Sequence, residues 1–133
     1  MAPADMITFA QNYAKAWCSD DAARVAAFFS PNGSLKVNDG APATGRVAIA
    51  AVAQGFMTAF PNMIVFFDRL THEGGRTQFH WTLTGTNAGP GGTGKFVRIS
   101  GCEDWRFDGD LVAESLGHFD GGEYERQLRF GVV

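Results

Sequence analysis

A chain of 133 residues with 45% hydrophobic content, including 12 Phe and 3 Trp, is the size of one domain and carries enough apolar side chain to bury a core. Its net charge of −3 comes from scattered acids and bases, without a run of Lys or Arg to follow a phosphate backbone, which argues against nucleic acid as a partner. No stretch approaches the roughly 18 apolar residues that span a bilayer, and no charged leader precedes an apolar segment, so the chain reads as soluble, cytoplasmic and without a membrane partner.

From Asp5 to Trp17, Met6, Phe9, Ala10, Tyr13 and Trp17 recur at helical steps and predict an amphipathic first helix. Ser19, Asp20 and Asp21 can cap a short second helix through Val25, Phe28 and Phe29, ending at the turn residues Pro31-Asn32-Gly33, with Ser34 to Val37 as a short strand. A third helix is predicted after Thr44-Gly45, with Val47, Ile49, Val52, Phe56 and Phe60 inward and its end before Pro61. Beyond Pro61 the period becomes two. Strands are predicted over 62–71 and 77–86 around Gly74-Gly75, the second with Phe79, Trp81 and Leu83 on one face and His80, Thr82 and Thr84 on the other. Asn87 to Gly94 is breaker-rich, a loop or wide hairpin, without the Lys-Ser/Thr pair and following helix of a phosphate cradle. Phe96 to Phe107 and Leu111 to Phe119 form a last hairpin around Asp108-Gly109-Asp110, and Gly121 to Leu128 makes one helical turn or two. The fold class is therefore α+β: a curved, mainly antiparallel sheet closed at one end by three N-terminal helices around an apolar pocket, as one domain over residues 1–133.

Glu103 is the residue that breaks the pattern. It shares the apolar face of its strand with Val97, Ile99, Trp105 and Phe107, and Gly101 two residues back leaves open space beside it. A carboxyl against aromatic carbon is disfavoured as a charge, so its pKa rises and it can serve as an acid or hydrogen-bond donor; the alternative is a half-covered sheet or a pairing with an arginine. In the final strand, unbroken alternation puts Glu114 and His118 on the side of Val112 and Leu116, where an imidazole on a cavity wall can accept and return a proton or stand as a satisfied core residue. Asp120 can reach over a pocket rim or cap the terminal helix. Tyr13 and Trp17, one turn apart, either line a ligand cavity or are plain core. The spacing of His72, His80 and His118 predicts no metal site, and Cys18 and Cys102 are expected as small, buried or half-buried thiols.

The helical N-terminal half, the Ala59-Phe60-Pro61-Asn62 break, Trp81 to Thr86, Thr93-Gly94-Lys95, Trp105-Arg106-Phe107 and Glu114 to Asp120, in this order and spacing, resemble the SnoaL-like polyketide cyclases of the ketosteroid isomerase and nuclear transport factor 2-like superfamily. The resemblance implies a cone-shaped α+β half-barrel with a deep apolar pocket, a homodimer formed through the sheet, and acid/base chemistry on a carbonyl compound without a cofactor. It places Tyr13 where the isomerases keep the tyrosine that donates to an oxyanion, and Glu103 where they keep a protonated aspartic acid. Their proton-abstracting aspartate falls at about Val37, which cannot take a proton unless Asp39 is displaced into the role. The cyclases' histidine and aspartate correspond most nearly to His118 and Asp120. The Asp-Arg-Asp set of the limonene epoxide hydrolases is not met, because Asp104 and Arg106 fall on the polar face.

The expected function is binding of a small apolar carbonyl compound, with cyclisation or isomerisation by proton transfer as the activity. His118 is the expected base, with Asp120 beside it, and Glu103 and Tyr13 hold the enolate oxygen. Trp17, Trp81 and Trp105, with Phe56, Glu114 and Leu116, are the expected substrate contacts. The alternative is a non-catalytic module of the same fold that binds a ligand, dimerises or docks a partner through His80, Thr82, Thr84, Arg98 and Arg106.

Overall fold

A computed structural model describes residues 3–132. Helix α1 (Met6–Trp17) starts where the Asp5 carboxylate accepts a hydrogen bond from the Thr8 amide at 2.9 Å, and it buries Ala10, Tyr13, Ala14 and Trp17 as the periodicity requires. Helix α2 (Ala22–Ala26) is capped by Asp21 and is shorter than expected. The chain is already extended at Phe29, and strand β1 (Phe29–Val37) runs straight through Pro31-Asn32-Gly33. Those residues make an irregularity in the strand instead of a turn: the register against its neighbour slips between Phe29 and Ser34, and Gly33 lies so close that a Cβ there would stand 2.8 Å from the Val112 carbonyl oxygen.

A two-residue strand, β2 (Ala43–Thr44), pairs with β1; it is too short for alternation to reveal. Helix α3 (Arg46–Ala59) buries Ile49, Ala53 and Met57. Val47, expected inward, is 89% exposed, because two residues from Ile49 is about 200° around a helix. Strands β3 (Ile64–Glu73), β4 (Arg76–Thr86), β5 (Phe96–Asp108) and β6 (Leu111–Phe119) follow, and helix α4 (Gly121–Phe130) is longer than the turn or two predicted.

The six strands form one open mixed sheet in the order β2-β1-β6-β5-β4-β3, with β1 parallel to β6 and every other pair antiparallel. The helices cover one face, giving the expected α+β half-barrel with α4 as a fourth helix over it. Beneath α1 that face is aromatic: the Trp105 ring stacks on Phe79 at 5.0 Å, and Tyr13 meets Trp105 edge-on at 5.2 Å. Two bulges break the alternation elsewhere. Asp68 is the extra residue in β3, and Ala113 is the extra residue in β6, where Arg106 faces Glu114 but Phe107 faces Val112.

Cys102 is half-buried, but Cys18 is exposed, contrary to expectation, because it follows the last turn of α1; its Sγ accepts a hydrogen bond from the Val65 amide at 3.2 Å. Among the described residues no helix is long and apolar enough to cross a membrane.

Candidate active site

Between the covered sheet face and the helices lies a cavity with about 60 Å³ of space for the centre of a water-sized sphere, several times what one water needs. Leu35, Val65, Leu83 and Ile99 from four strands, with Trp17 of α1, form its buried walls. Half-buried Val37, Phe56, Trp81, Phe119 and Tyr124 form the rest, Tyr124 coming from α4. Among these described lining residues Glu103 has the one carboxyl.

Glu103 is only 7% exposed. The unbroken alternation of β5 turns it inward, and its cross-strand neighbours on that face are Phe79 on β4 and Gly117 on β6. Gly117, not Gly101 as the sequence suggested, lines the cavity with Glu103, although a Cβ on Gly117 would stand 3.1 Å from the Lys36 carbonyl oxygen. The space over Gly101 is filled: a Cβ there would come within 2.6 Å of the Trp81 ring and 2.9 Å of Phe119.

Oε1 of Glu103 accepts hydrogen bonds from Ser115 Oγ at 2.7 Å, Tyr13 OH at 2.8 Å and Trp105 Nε1 at 3.2 Å; the Tyr13 hydroxyl also lies 3.1 Å from Oε2. Three donors exhaust the lone pairs of Oε1, so a proton on this carboxyl belongs on Oε2. Burial pushes the Glu103 pKa up from the usual carboxylate range, and the donors Ser115, Tyr13 and Trp105 pull against that rise. Burial, and then the charge of Glu103, hold the Tyr13 phenol well above its ordinary value, so Tyr13 keeps its proton and donates it to the carboxyl. The result is a carboxyl that can exist in either protonation state, with one oxygen fixed and the other available.

Trp17 lines the same cavity at 8% exposure, its ring set edge-on to Tyr13 and Phe56 at 6.4 and 6.1 Å. Its indole N–H stands near enough to exert a lowering pull on the Tyr13 pKa, yet the geometry is not that of a hydrogen bond, and Nε1 is left without a partner.

The structure thus brings together Glu103, Tyr13, Trp17, Phe56 and Trp81, with two differences of position. Tyr13 is fully buried beneath the carboxyl and does not line the cavity, and Trp105 belongs to the aromatic core, touching the site through its N–H on Glu103.

His118, Glu114 and Leu116 are not in the cavity. The extra residue Ala113 reverses the alternation of β6, so that Ser115, Gly117 and Phe119 turn inward and the even-numbered side chains turn out. Glu114 pairs with Arg76 at 3.0 Å on the outer face, and His118 is exposed there in a row across β4, β5 and β6 with His80 and Cys102. These border a shallow outer depression, but no three His, Cys, Asp or Glu side chains among the described residues are grouped to hold a metal ion. Asp120 caps α4, its Oδ1 accepting from the Glu123 amide at 3.0 Å. Ser115, which the sequence put on the wrong face, and Tyr124, hidden in a helix read as a turn or two, are among the site residues missed, as are the lining residues Leu35, Val37, Val65, Leu83, Ile99, Gly117 and Phe119.

An open mixed sheet with helices over one face is the ketosteroid isomerase-like fold, and solved structures share that fold. The chain is similar to a protein of unknown function with the nuclear transport factor 2-like fold from Burkholderia pseudomallei (19% identity, TM-score 0.77, 92% of this chain and 95% of that one). It is also similar to a ketosteroid isomerase-like protein from Catenulispora acidiphila solved with trimethylamine (16%, 0.75, 91% and 88%). A third similar structure is a candidate SnoaL-like polyketide cyclase from Jannaschia sp. CCS1 (18%, 0.69, 85% and 86%). Curated protein sequences give no match. The SnoaL-like domain profile matches residues 10–115, and the chain belongs to that family.

Proposed function

We propose that this protein binds a small apolar carbonyl compound and moves a proton on it, as a cyclase or isomerase that needs no cofactor, with Glu103 as the acid/base group. The observation that carries the reading is the single carboxyl at an apolar cavity whose Oε1 is saturated by Ser115, Tyr13 and Trp105 while Oε2 retains lone pairs. Ionised, Glu103 takes a proton from the carbon beside the carbonyl; protonated, it returns that proton to the same or a neighbouring atom. The apolar walls disfavour the ionised carboxylate, which raises its basicity, and the three donors keep it oriented. His118 has no part in this step, because it faces the other side of the sheet.

The test is exchange of the α-protons of 1-tetralone into deuterated water, followed by NMR. The wild type should accelerate exchange, and Glu103→Gln should lose about 10²- to 10⁴-fold of it, the usual contribution of a positioned acid/base group. Equal exchange by both proteins ends the proposal.

One observation favours a further use of the outer face: Ile64, Phe66 and Phe96 are 45%, 48% and 41% exposed there, beside Thr84 and Arg98. We propose that this face forms a homodimer. Sedimentation equilibrium should find a dimer that Phe66→Asp dissociates; a wild-type monomer at high concentration counts against it.

A further inference from the structure

The resemblance to isomerases assigns the ligand's oxygen to Tyr13 and Glu103 together, but the Tyr13 proton is already engaged and Glu103 is here the group that exchanges the proton. The Tyr13 hydroxyl gives its one proton to Glu103, and Ser115 Oγ and Trp105 Nε1 give theirs to the same oxygen. The three donors that surround the carboxyl are spent on it. Of the other lining residues with a donor, Trp81 and Tyr124 are half-buried, whereas Trp17 Nε1 is the single buried side-chain nitrogen or oxygen among the described residues that has no hydrogen-bond partner. A buried donor left unpaired is unfavourable, because it has given up water without a replacement. A phenylalanine at the same position would keep the aromatic wall without that cost, so the N–H is the feature that calls for an explanation. Its ring is held between Tyr13 and Phe56, and both Trp17 and Glu103 line the same cavity.

We infer that Trp17 Nε1–H is the donor that receives the ligand's oxygen, so that the ligand is a compact apolar ketone or aldehyde with one acceptor oxygen on Trp17 and its α-carbon toward Glu103. The inference rests on the proposed ligand role of this cavity and adds to it the oxygen site and the class of compound. The remaining walls are almost entirely carbon, so a second polar group on the ligand would be buried without a partner, and polyhydroxylated or charged compounds are rejected. When the α-carbon loses its proton to Glu103, charge builds on the oxygen and the Trp17 hydrogen bond strengthens, which favours the transition state over the ground state.

The test compares 1-tetralone with tetralin, which has the same carbon skeleton and no oxygen, on uniformly ¹⁵N-labelled full-length protein. The indole N–H signals of the three tryptophans are assigned by single Trp→Phe variants. Expected are a downfield shift of the Trp17 Nε1–H with tetralone alone, about tenfold tighter binding of tetralone than tetralin, and loss of that preference in Trp17→Phe with tetralin affinity unchanged. The wild-type shift needs no variant to fold. If tetralone binds and perturbs Trp81 while the Trp17 N–H stays in place, or if its preference over tetralin survives in Trp17→Phe, the Trp17 assignment is wrong and the ligand role of the cavity stands. If neither compound perturbs any cavity residue, that ligand role fails and takes this inference with it.

Discussion

Replacing Glu103 by leucine removes a buried carboxyl of nearly the same volume and strands the groups that bond to it. Tyr13 OH, Ser115 Oγ and Trp105 Nε1 would all lose their acceptor at once. At about 1–3 kcal/mol for each stranded donor the gross cost is about 3–9 kcal/mol. Two corrections lower it. The two hydroxyls can rotate in search of other acceptors while the indole cannot, and the desolvation cost of the carboxyl is recovered, the term that makes some buried charges stabilising to remove. A net loss of about 2–4 kcal/mol is expected, a large part of the stability of a small domain. Glu103→Gln keeps an acceptor for all three donors and should lose about 1 kcal/mol or less. The pH dependence separates these further. Burial raises the folded pKa of Glu103 above its ordinary value of 4.5, so the folded state holds the proton where the unfolded state has released it. The stabilisation is full below 4.5 and is lost as pH rises through the folded pKa; Gln and Leu lack it at every pH. Urea denaturation of the three proteins at several pH values between 4 and 8 reads both effects. A leucine variant as stable as the wild type at neutral pH would refute the reasoning, since it would show that the donors do not depend on the carboxyl.

Tyr13→Phe takes one donor from Oε1 and, among the described residues, the only one near Oε2, so it should raise the Glu103 pKa further and cost about 1 kcal/mol; carboxyl ¹³C titration measures the first and urea denaturation the second. His118→Ala should leave ligand binding and α-proton exchange within about twofold of wild type, because the side chain lies outside the cavity, and a tenfold loss would move the chemistry to the outer face. Gly101→Ala forces a methyl against the His118 carbonyl and the Trp81 ring, so it should cost about 1–3 kcal/mol and displace Trp81 from the cavity, seen as a change in tryptophan fluorescence; an unchanged Tm and spectrum would contradict the packing described.

The parts of this protein that were legible in the sequence are those in which one period runs unbroken. Tyr13 and Trp17 could be placed on one face of α1 because no residue interrupts the helical repeat, and Glu103 could be turned inward because β5 alternates without a bulge from Phe96 to Arg106. β6 is opaque for the opposite reason. Nothing in Val112-Ala113-Glu114 announces an extra residue, so a simple alternation runs across it and puts His118 where Ser115 belongs. Pro31-Asn32-Gly33 has turn composition yet lies inside β1, since pairing with β6 supplies from a distance what local preference withholds. The unpaired N–H of Trp17 was out of reach altogether: it depends on where Tyr13 spends its proton, and that partner is 90 residues away in the chain.

Ala113 also bears on how functional residues are inherited. The single inserted residue decides which set of side chains β6 offers to the cavity, with Ser115, Gly117 and Phe119 on one side and Glu114, Leu116 and His118 on the other. Gaining or losing one codon at this point would exchange the two sets with every other residue unaltered. Relatives could diverge in chemistry by such a step while differing little in overall similarity, and equivalent positions beyond the bulge are found by counting from it, not from the chain's beginning. The histidine that matched the cyclases by its place in the sequence was lost to the site by a displacement of one.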